Sequence, residues 1–232
     1  MNISHAASRI KRKINLHIVE INGDKIRKKY ADFTMISRNI YVANLVLCSL
    51  KMPREGAIVE CGVWRGGMSA GIADMFPGRH HALFDSFEGL PPAKPIDGQS
   101  AIDWQNDKGS PAYFDNCSAE QAFAEKAMGM SAAGSFRLVR GWFSDTLPGC
   151  DIGDEIGLLR LDGDWYESTM DCLVNLYPKV RKGGLIIIDD YYAWDGCARA
   201  VHDFLSQHQL AERIEEFAGV AHIVKRGDMA AG

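Results

Sequence analysis

No stretch of this 232-residue chain is apolar for long enough to cross a bilayer. The longest apolar run, Ile40 to Leu50, is broken by Asn44 and falls well short of the roughly 20 residues a spanning helix requires. Arg9, Lys11, Arg12 and Lys13 near the start have no continuous apolar core beside them, so a secretory leader is not expected. Positive charge is not in excess either. A formal net charge of −4 argues against a general nucleic-acid binder, because neutralising phosphates needs a basic field. The six cysteines are scattered, with no CxxC pair and no tight cluster. Several lie in apolar runs, where reduced, buried thiols are expected, and a reducing, cytoplasmic setting follows. No internal repeat or low-complexity tract is visible.

What is present is an ordinary globular composition, 47% hydrophobic and 24% charged, sufficient for one domain with a substantial core. Residues 1–50 read as a helical arm, its basic residues continuing at Lys25, Arg27, Lys28 and Lys29 and solvated in the simplest reading. From residue 51 onward short apolar runs alternate with helical patterns. Strands are expected at Ala57–Cys61, Ala82–Phe84, Phe136–Val139, Ile156–Leu161 and Leu185–Ile188. Helices are expected at Met68–Phe76, from Ser118 to about Met128, from Glu167 to about Val180 and at Gly196–His208. Lys182-Gly183-Gly184 should halt the third of these. Arg213–Phe217 and His222–Lys225 flank Gly219 at hairpin spacing. The expected fold is α/β and Rossmann-like: a seven-stranded, mostly parallel sheet closed by an antiparallel hairpin, with helices on both faces. The proline-rich stretch at about 90–117 breaks the rhythm and reads as an irregular substrate lid, with Trp104, Tyr113 and Phe114 available for packing.

Two strands run directly into acids, Leu158 to Asp162-Gly163-Asp164 and Leu185 to Asp189-Asp190. Ligands of open α/β sheets sit beyond the carboxyl ends of strands. Carboxylates gathered there without histidine or cysteine suit a hard divalent ion such as Mg²⁺. The first glycine loop, Glu60-Cys61-Gly62-Val63-Trp64-Arg65-Gly66-Gly67, is not a dinucleotide fingerprint, since Trp64 stands where a pyrophosphate would approach. It suits a cofactor without phosphates. Glu60 could accept from an ammonium group, Gly62 could leave room beside the backbone, and Asp85 could accept both hydroxyls of a ribose. That ordered pair of acids matches S-adenosylmethionine.

With these residues in place, the chain resembles the class I methyltransferases of the macrocin O-methyltransferase type, which methylate sugar hydroxyls on macrolides and related natural products. The resemblance spans about residues 34–226. It rests on Val59–Gly67, Phe84–Pro91, Gly141–Pro148, Leu161–Thr169 and Asp189-Asp190-Tyr191. It implies Asp162, Asp189 and Asp190 as metal ligands, with Asp162 also the general base. Glu60, Gly62, Asp85 and Ser86 would line the cofactor site, and Gly141-Trp142 would lie near the adenine. The implied reaction is Mg²⁺-dependent methyl transfer to a hydroxyl of a sugar or vicinal diol. The acceptor stays open, and the N-terminal helices could pack against a second subunit.

Other acids and bases carry weaker expectations. Asp164 could cap the helix beginning near Glu167 or reach the acceptor pocket, and Tyr166 could face the acceptor or pack. His80 and His81 are expected at the surface, His202 in a structural role, and Arg199 as an ion-pair partner near the acids. A phosphoryl transferase of the haloacid dehalogenase kind would want its aspartate on an early strand with a Thr or Val pair after it, where this chain has Trp165-Tyr166 after the fourth strand. A glycosyltransferase using Asp162-Gly163-Asp164 would leave Asp189-Asp190 and the Gly62 loop unexplained. A non-catalytic cofactor-binding module would tolerate loss of Asp162.

Overall fold

The computed structural model describes residues 3–229, with side chains from residue 16. The side chains of Arg9, Lys11, Arg12 and Lys13 therefore lie outside the described residues. Helix α1 (Ile3–Lys29) and helix α2 (Arg38–Lys51) precede the sheet. The strands are β1 (Ala57–Cys61), β2 (His80–Asp85), β3 (Ser135–Arg140), β4 (Ile156–Leu161), β5 (Val180–Ile188), β6 (Glu215–Phe217) and β7 (Val220–Val224). They form one sheet in the order β3-β2-β1-β4-β5-β7-β6, parallel except where β7 pairs with β5 and β6. The remaining helices are α3 (Gly67–Met75), α4 (Gln99–Asn106), α5 (Gln121–Gly129), α6 (Phe143–Thr146), α7 (Tyr166–Leu176) and α8 (Asp195–Gln207). No helix among the described residues is long and apolar enough to cross a membrane.

Side-chain alternation divides the core into two faces. Val59, Cys61, Leu159, Leu161, Ile186 and Ile188 pack with Cys172, Leu173, Cys197 and Val201 of α7 and α8. Ile58, Leu158, Leu185 and Ile187 pack with Tyr41, Leu45 and Cys48 of α2. Burying side chains of this size contributes about 1.5–3 kcal/mol each, which is why the central strands are continuous apolar runs. The basic second half of α1 is docked on one side while Lys25, Lys28 and Lys29 stay exposed, as expected. Arg27 donates to Ile36 O, and Lys29 reaches Asp74 at 2.7 Å. Gly71 permits the close pass of α2, since a Cβ there would stand 1.9 Å from Tyr41 Oη.

Three local expectations need correction. The Lys182-Gly183-Gly184 turn does not precede a strand but lies inside β5, where the register with β4 slips between Ile156 and Leu158 and Gly183 takes φ +79°. The 90–117 stretch is not structureless: it contains α4 and short 3₁₀ turns at Pro95–Asp97 and Phe114–Cys117. His81 is not at the surface. It is fully buried in β2, its two ring nitrogens lack partners, and burial lowers its pKa to about 4.

Candidate active site

Parallel register sets the geometry at the carboxyl ends of β1, β4 and β5. Glu60 lies opposite Arg160, and Leu161 opposite Ile188, so the residues that follow, Asp162 and Asp189, emerge side by side. Glu60, Arg160 and Asp162 fall on the face covered by α2, because alternate residues share a face. Asp162, Asp189 and Asp190 each offer a carboxylate oxygen within 4.8 Å of the others. Burial, then repulsion from Asp164, Asp162 and Asp189, push the carboxyl of Asp190 well above the ordinary range; burial also raises Asp162, against the pull of Arg160. An all-oxygen donor set under such repulsion fits a hard divalent cation.

Arg160 is the functional residue that sequence reasoning passed over. Its guanidinium has no solvent exposure and meets Glu60 Oε1 at 2.7 Å, Asp162 Oδ2 at 2.6 Å and Asp189 Oδ1 at 2.7 Å. An unpaired charge at this depth would cost several kcal/mol, and the three acids offset that penalty. The signal was there: a lone arginine in a strand otherwise made of Ile, Gly and Leu. Arg199 forms no ion pair among the described residues; Arg160 holds the place expected for it.

The loop after β1 is held by Asp85, whose Oδ2 accepts the N–H groups of Val63 at 2.6 Å and Trp64 at 2.8 Å. Its Oδ1 accepts from Phe87 at 2.6 Å. Burial raises the Asp85 pKa while these three donors lower it. Oδ1 keeps one acceptor site for a further donor, whereas Oδ2 already accepts two. Gly62 has a reason other than ligand space: at φ +88°, a Cβ there would stand 1.7 Å from the carbonyl oxygen of Asp162. Ser86 closes the next turn, donating to Gly89 O and accepting from Glu88 N. Gly141 N donates to Asp85 O, bringing Trp142 to the cavity edge, 37% exposed. Glu60, in contrast, is 2% exposed and engaged by Arg160 and the Ser69 hydroxyl.

Asp164 does not cap α7. Its Oδ1 accepts the Trp194 indole N–H at 2.9 Å, and its own N–H donates to Asp190 Oδ2 at 3.0 Å. The cap comes from Asp97, in the 90–117 stretch. Tyr166 Oη donates to Asp203 at 3.0 Å, and His202 Nε2 meets Tyr191 Oη at 2.9 Å, so both serve packing around α8.

One cavity of about 760 Å³ joins these parts. It takes in the Gly62 loop, Asp85, Ser86, Gly141 and Trp142 on one side, and Asp162, Asp164, Asp189 and Asp190 at its floor. Met35, Ile36 and Ile40 on one wall and Tyr192 and Ala193 on another complete it.

A family model described as Macrocin-O-methyltransferase (TylF) matches residues 17–226. The 8-demethyl-8-(2,3-dimethoxy-alpha-L-rhamnosyl)-tetracenomycin-C 4'-O-methyltransferase of Streptomyces olivaceus is 38% identical over 173 residues, covering 71% of this chain and 63% of that protein. The demethyldecarbamoylnovobiocin O-methyltransferase of Streptomyces niveus is 35% identical over 170 residues, covering 68% and 62%. The chain thus spans less than two thirds of the length of these two relatives. The solved structure of the O-methyltransferase NovP superposes with a TM-score of 0.63 at 29% identity, covering 84% of this chain and 83% of that one. A match over nearly the whole chain, on the fold that carries this cavity, places the protein in the macrocin O-methyltransferase (TylF) family.

Proposed function

We propose that the protein is a Mg²⁺-dependent O-methyltransferase that moves a methyl group from S-adenosylmethionine to a hydroxyl of a sugar or vicinal-diol acceptor in natural-product or glycan biosynthesis. One observation carries this reading: the Gly62–Asp85 loop pair and the Asp162, Asp189, Asp190 cluster open into the same cavity. The name of the Streptomyces olivaceus relative, a 4'-O-methyltransferase of a rhamnosyl-tetracenomycin, supports the acceptor class.

In this reading the free acceptor site of Asp85 Oδ1 takes a ribose hydroxyl, with Gly62 and Ser86 shaping the same end, while Gly141 and Trp142 border the adenine. Glu60 also lines the cavity, with Oε1 bonded to Arg160 and Oε2 to the Ser69 hydroxyl. Asp162, Asp189 and Asp190 would hold the cation. Bound S-adenosylmethionine would supply an electrophilic methyl group, and a divalent cation would supply Lewis acidity that lowers a hydroxyl pKa. The chain's own contribution is to align the acceptor, exclude water and take the proton. Asp162 is the proton acceptor expected from sequence. Asp164 is a second candidate: it lines the same cavity, and like Asp162 it has one oxygen engaged, by the Trp194 indole N–H, and one without a protein donor among the described residues. Phosphoryl or glycosyl transfer through Asp162 and Asp164 would leave the Gly62–Asp85 loop pair of the same cavity without a role.

Calorimetric titration of S-adenosylmethionine and S-adenosylhomocysteine, with and without Mg²⁺, tests the proposal. Micromolar binding that Asp85→Ala abolishes, followed by turnover of a diol-bearing sugar that thorough EDTA treatment stops, is the expected result. No binding of either ligand overturns the methyltransferase reading, and EDTA-resistant turnover overturns its metal half.

A further inference from the structure

Arg160 does more than balance charge. Nη1 donates to both Glu60 Oε1 and Asp162 Oδ2, and Nε reaches Asn44 Oδ1 at 3.4 Å. Nη2 lies 2.7 Å from Asp189 Oδ1 but off the N–H direction, making an ion contact rather than a hydrogen bond. Glu60 is itself fixed by the Ser69 hydroxyl of α3. Asp190 Oδ2 is held separately by the Asp164 N–H. Each acid of the cluster therefore has one oxygen engaged by the protein. Among the described residues, the second oxygen of each has no protein donor.

We infer that Arg160 is a positioning residue, anchored by Glu60, which pins one oxygen of Asp162 and one of Asp189 so that both present their other oxygen to a shared divalent cation. The inference rests on the cation reading of the three acids. The planar fork of arginine is what spans three carboxylates at once; lysine keeps the charge but not the fork. Groups that orient metal ligands typically change metal affinity by about 10–100-fold when lost. Glu60, on this view, serves Arg160 rather than the cofactor's ammonium group.

The experiment uses the full chain with Mn²⁺ as a spin probe, titrated by electron paramagnetic resonance, beside calorimetry of S-adenosylmethionine and a circular-dichroism check of folding. Arg160→Lys should fold, weaken Mn²⁺ binding about tenfold or more, and leave S-adenosylmethionine affinity within about threefold. In turnover it should raise the KM for Mg²⁺, with kcat recovering at saturating metal. A folded Arg160→Lys that binds Mn²⁺ like the parent overturns the inference. Should Arg160→Lys fail to fold, the isosteric Glu60→Gln decides. Weaker Mn²⁺ with unchanged cofactor affinity supports the anchor, and weaker cofactor with unchanged Mn²⁺ overturns it. A parent protein that binds S-adenosylmethionine but no Mn²⁺ removes the cation reading itself and the role of Arg160 with it. A parent that binds both, with variants unaltered, removes Arg160 alone.

Discussion

Asp97 caps a helix 69 residues downstream: its Oδ1 accepts the backbone N–H of Tyr166 at 2.7 Å, at the start of α7. Its Oδ2 accepts the N–H of Lys94 at 2.7 Å. Gly196 makes the approach feasible, since a Cβ there would stand 2.4 Å from Asp97 Oδ1. The stretch expected to be a lid is thus bonded to the segment that carries the acids.

Loss of this cap should be measurable. Asp97→Ala should lower unfolding free energy by about 1–2 kcal/mol in urea titrations, within the range for capping residues and somewhat beyond the isolated-helix value because Lys94 also loses its acceptor. Asp97→Asn, which keeps one acceptor oxygen but turns an NH2 group toward the other N–H, should recover only part of that loss. An unchanged midpoint for Asp97→Ala would mean the stretch is not holding α7.

The tryptophans give a second test. Trp104 packs edge-on against Trp165 at 6.1 Å and Trp194 at 5.8 Å, and Trp165 donates to Pro91 O at 2.9 Å. Trp194→Phe keeps the ring but deletes the donor to Asp164, so it should reduce kcat about tenfold or more while changing stability by only about 1 kcal/mol. Equal losses in kcat and stability would count against a role in orienting Asp164.

Gly62→Ala should be among the most damaging single changes in the chain. The added methyl group meets the Asp162 carbonyl at 1.7 Å, on a backbone already at φ +88°. Either the first loop or the end of β4 must move, at a cost of about 3 kcal/mol or more. Thermal melts and cofactor calorimetry should both register it, and a variant with parental melting and binding would contradict the packing described.

Acid sensitivity follows from His81. Its folded pKa, about 4, lies below the ordinary 6.5 because burial disfavours the imidazolium. As pH falls, the unfolded chain takes up the proton first. The stability contributed by neutral burial is therefore complete above about pH 6.5 and is lost progressively down to about pH 4. At pH 5 the loss is about 2 kcal/mol relative to pH 7.5. His81→Leu should flatten this part of the stability–pH curve in guanidinium titrations at the two pH values. An identical slope in parent and variant would rule His81 out as a source.

The strand runs, the helix–strand alternation and the acids at the ends of β4 and β5 were legible in sequence because each depends on neighbours a few residues away. An apolar run ending in carboxylates means the same thing wherever it occurs in a parallel sheet. The same holds for the hairpin around Gly219. Partner choice was not legible. The spacing of residues 164–167 allowed Asp164 to cap α7, and only packing gave that cap to Asp97 and sent Asp164 to Trp194. Gly62 was legible as a required glycine, yet its reason, the carbonyl of Asp162, lies a hundred residues away. Local chemistry thus determined the strands and the acids at their carboxyl ends from sequence alone. The tertiary structure decided that Arg160 would be the counterion and Glu60 its anchor. That choice depends on which residues the parallel register of β1, β4 and β5 sets side by side in a buried, low-dielectric layer, where an unpaired charge cannot stay.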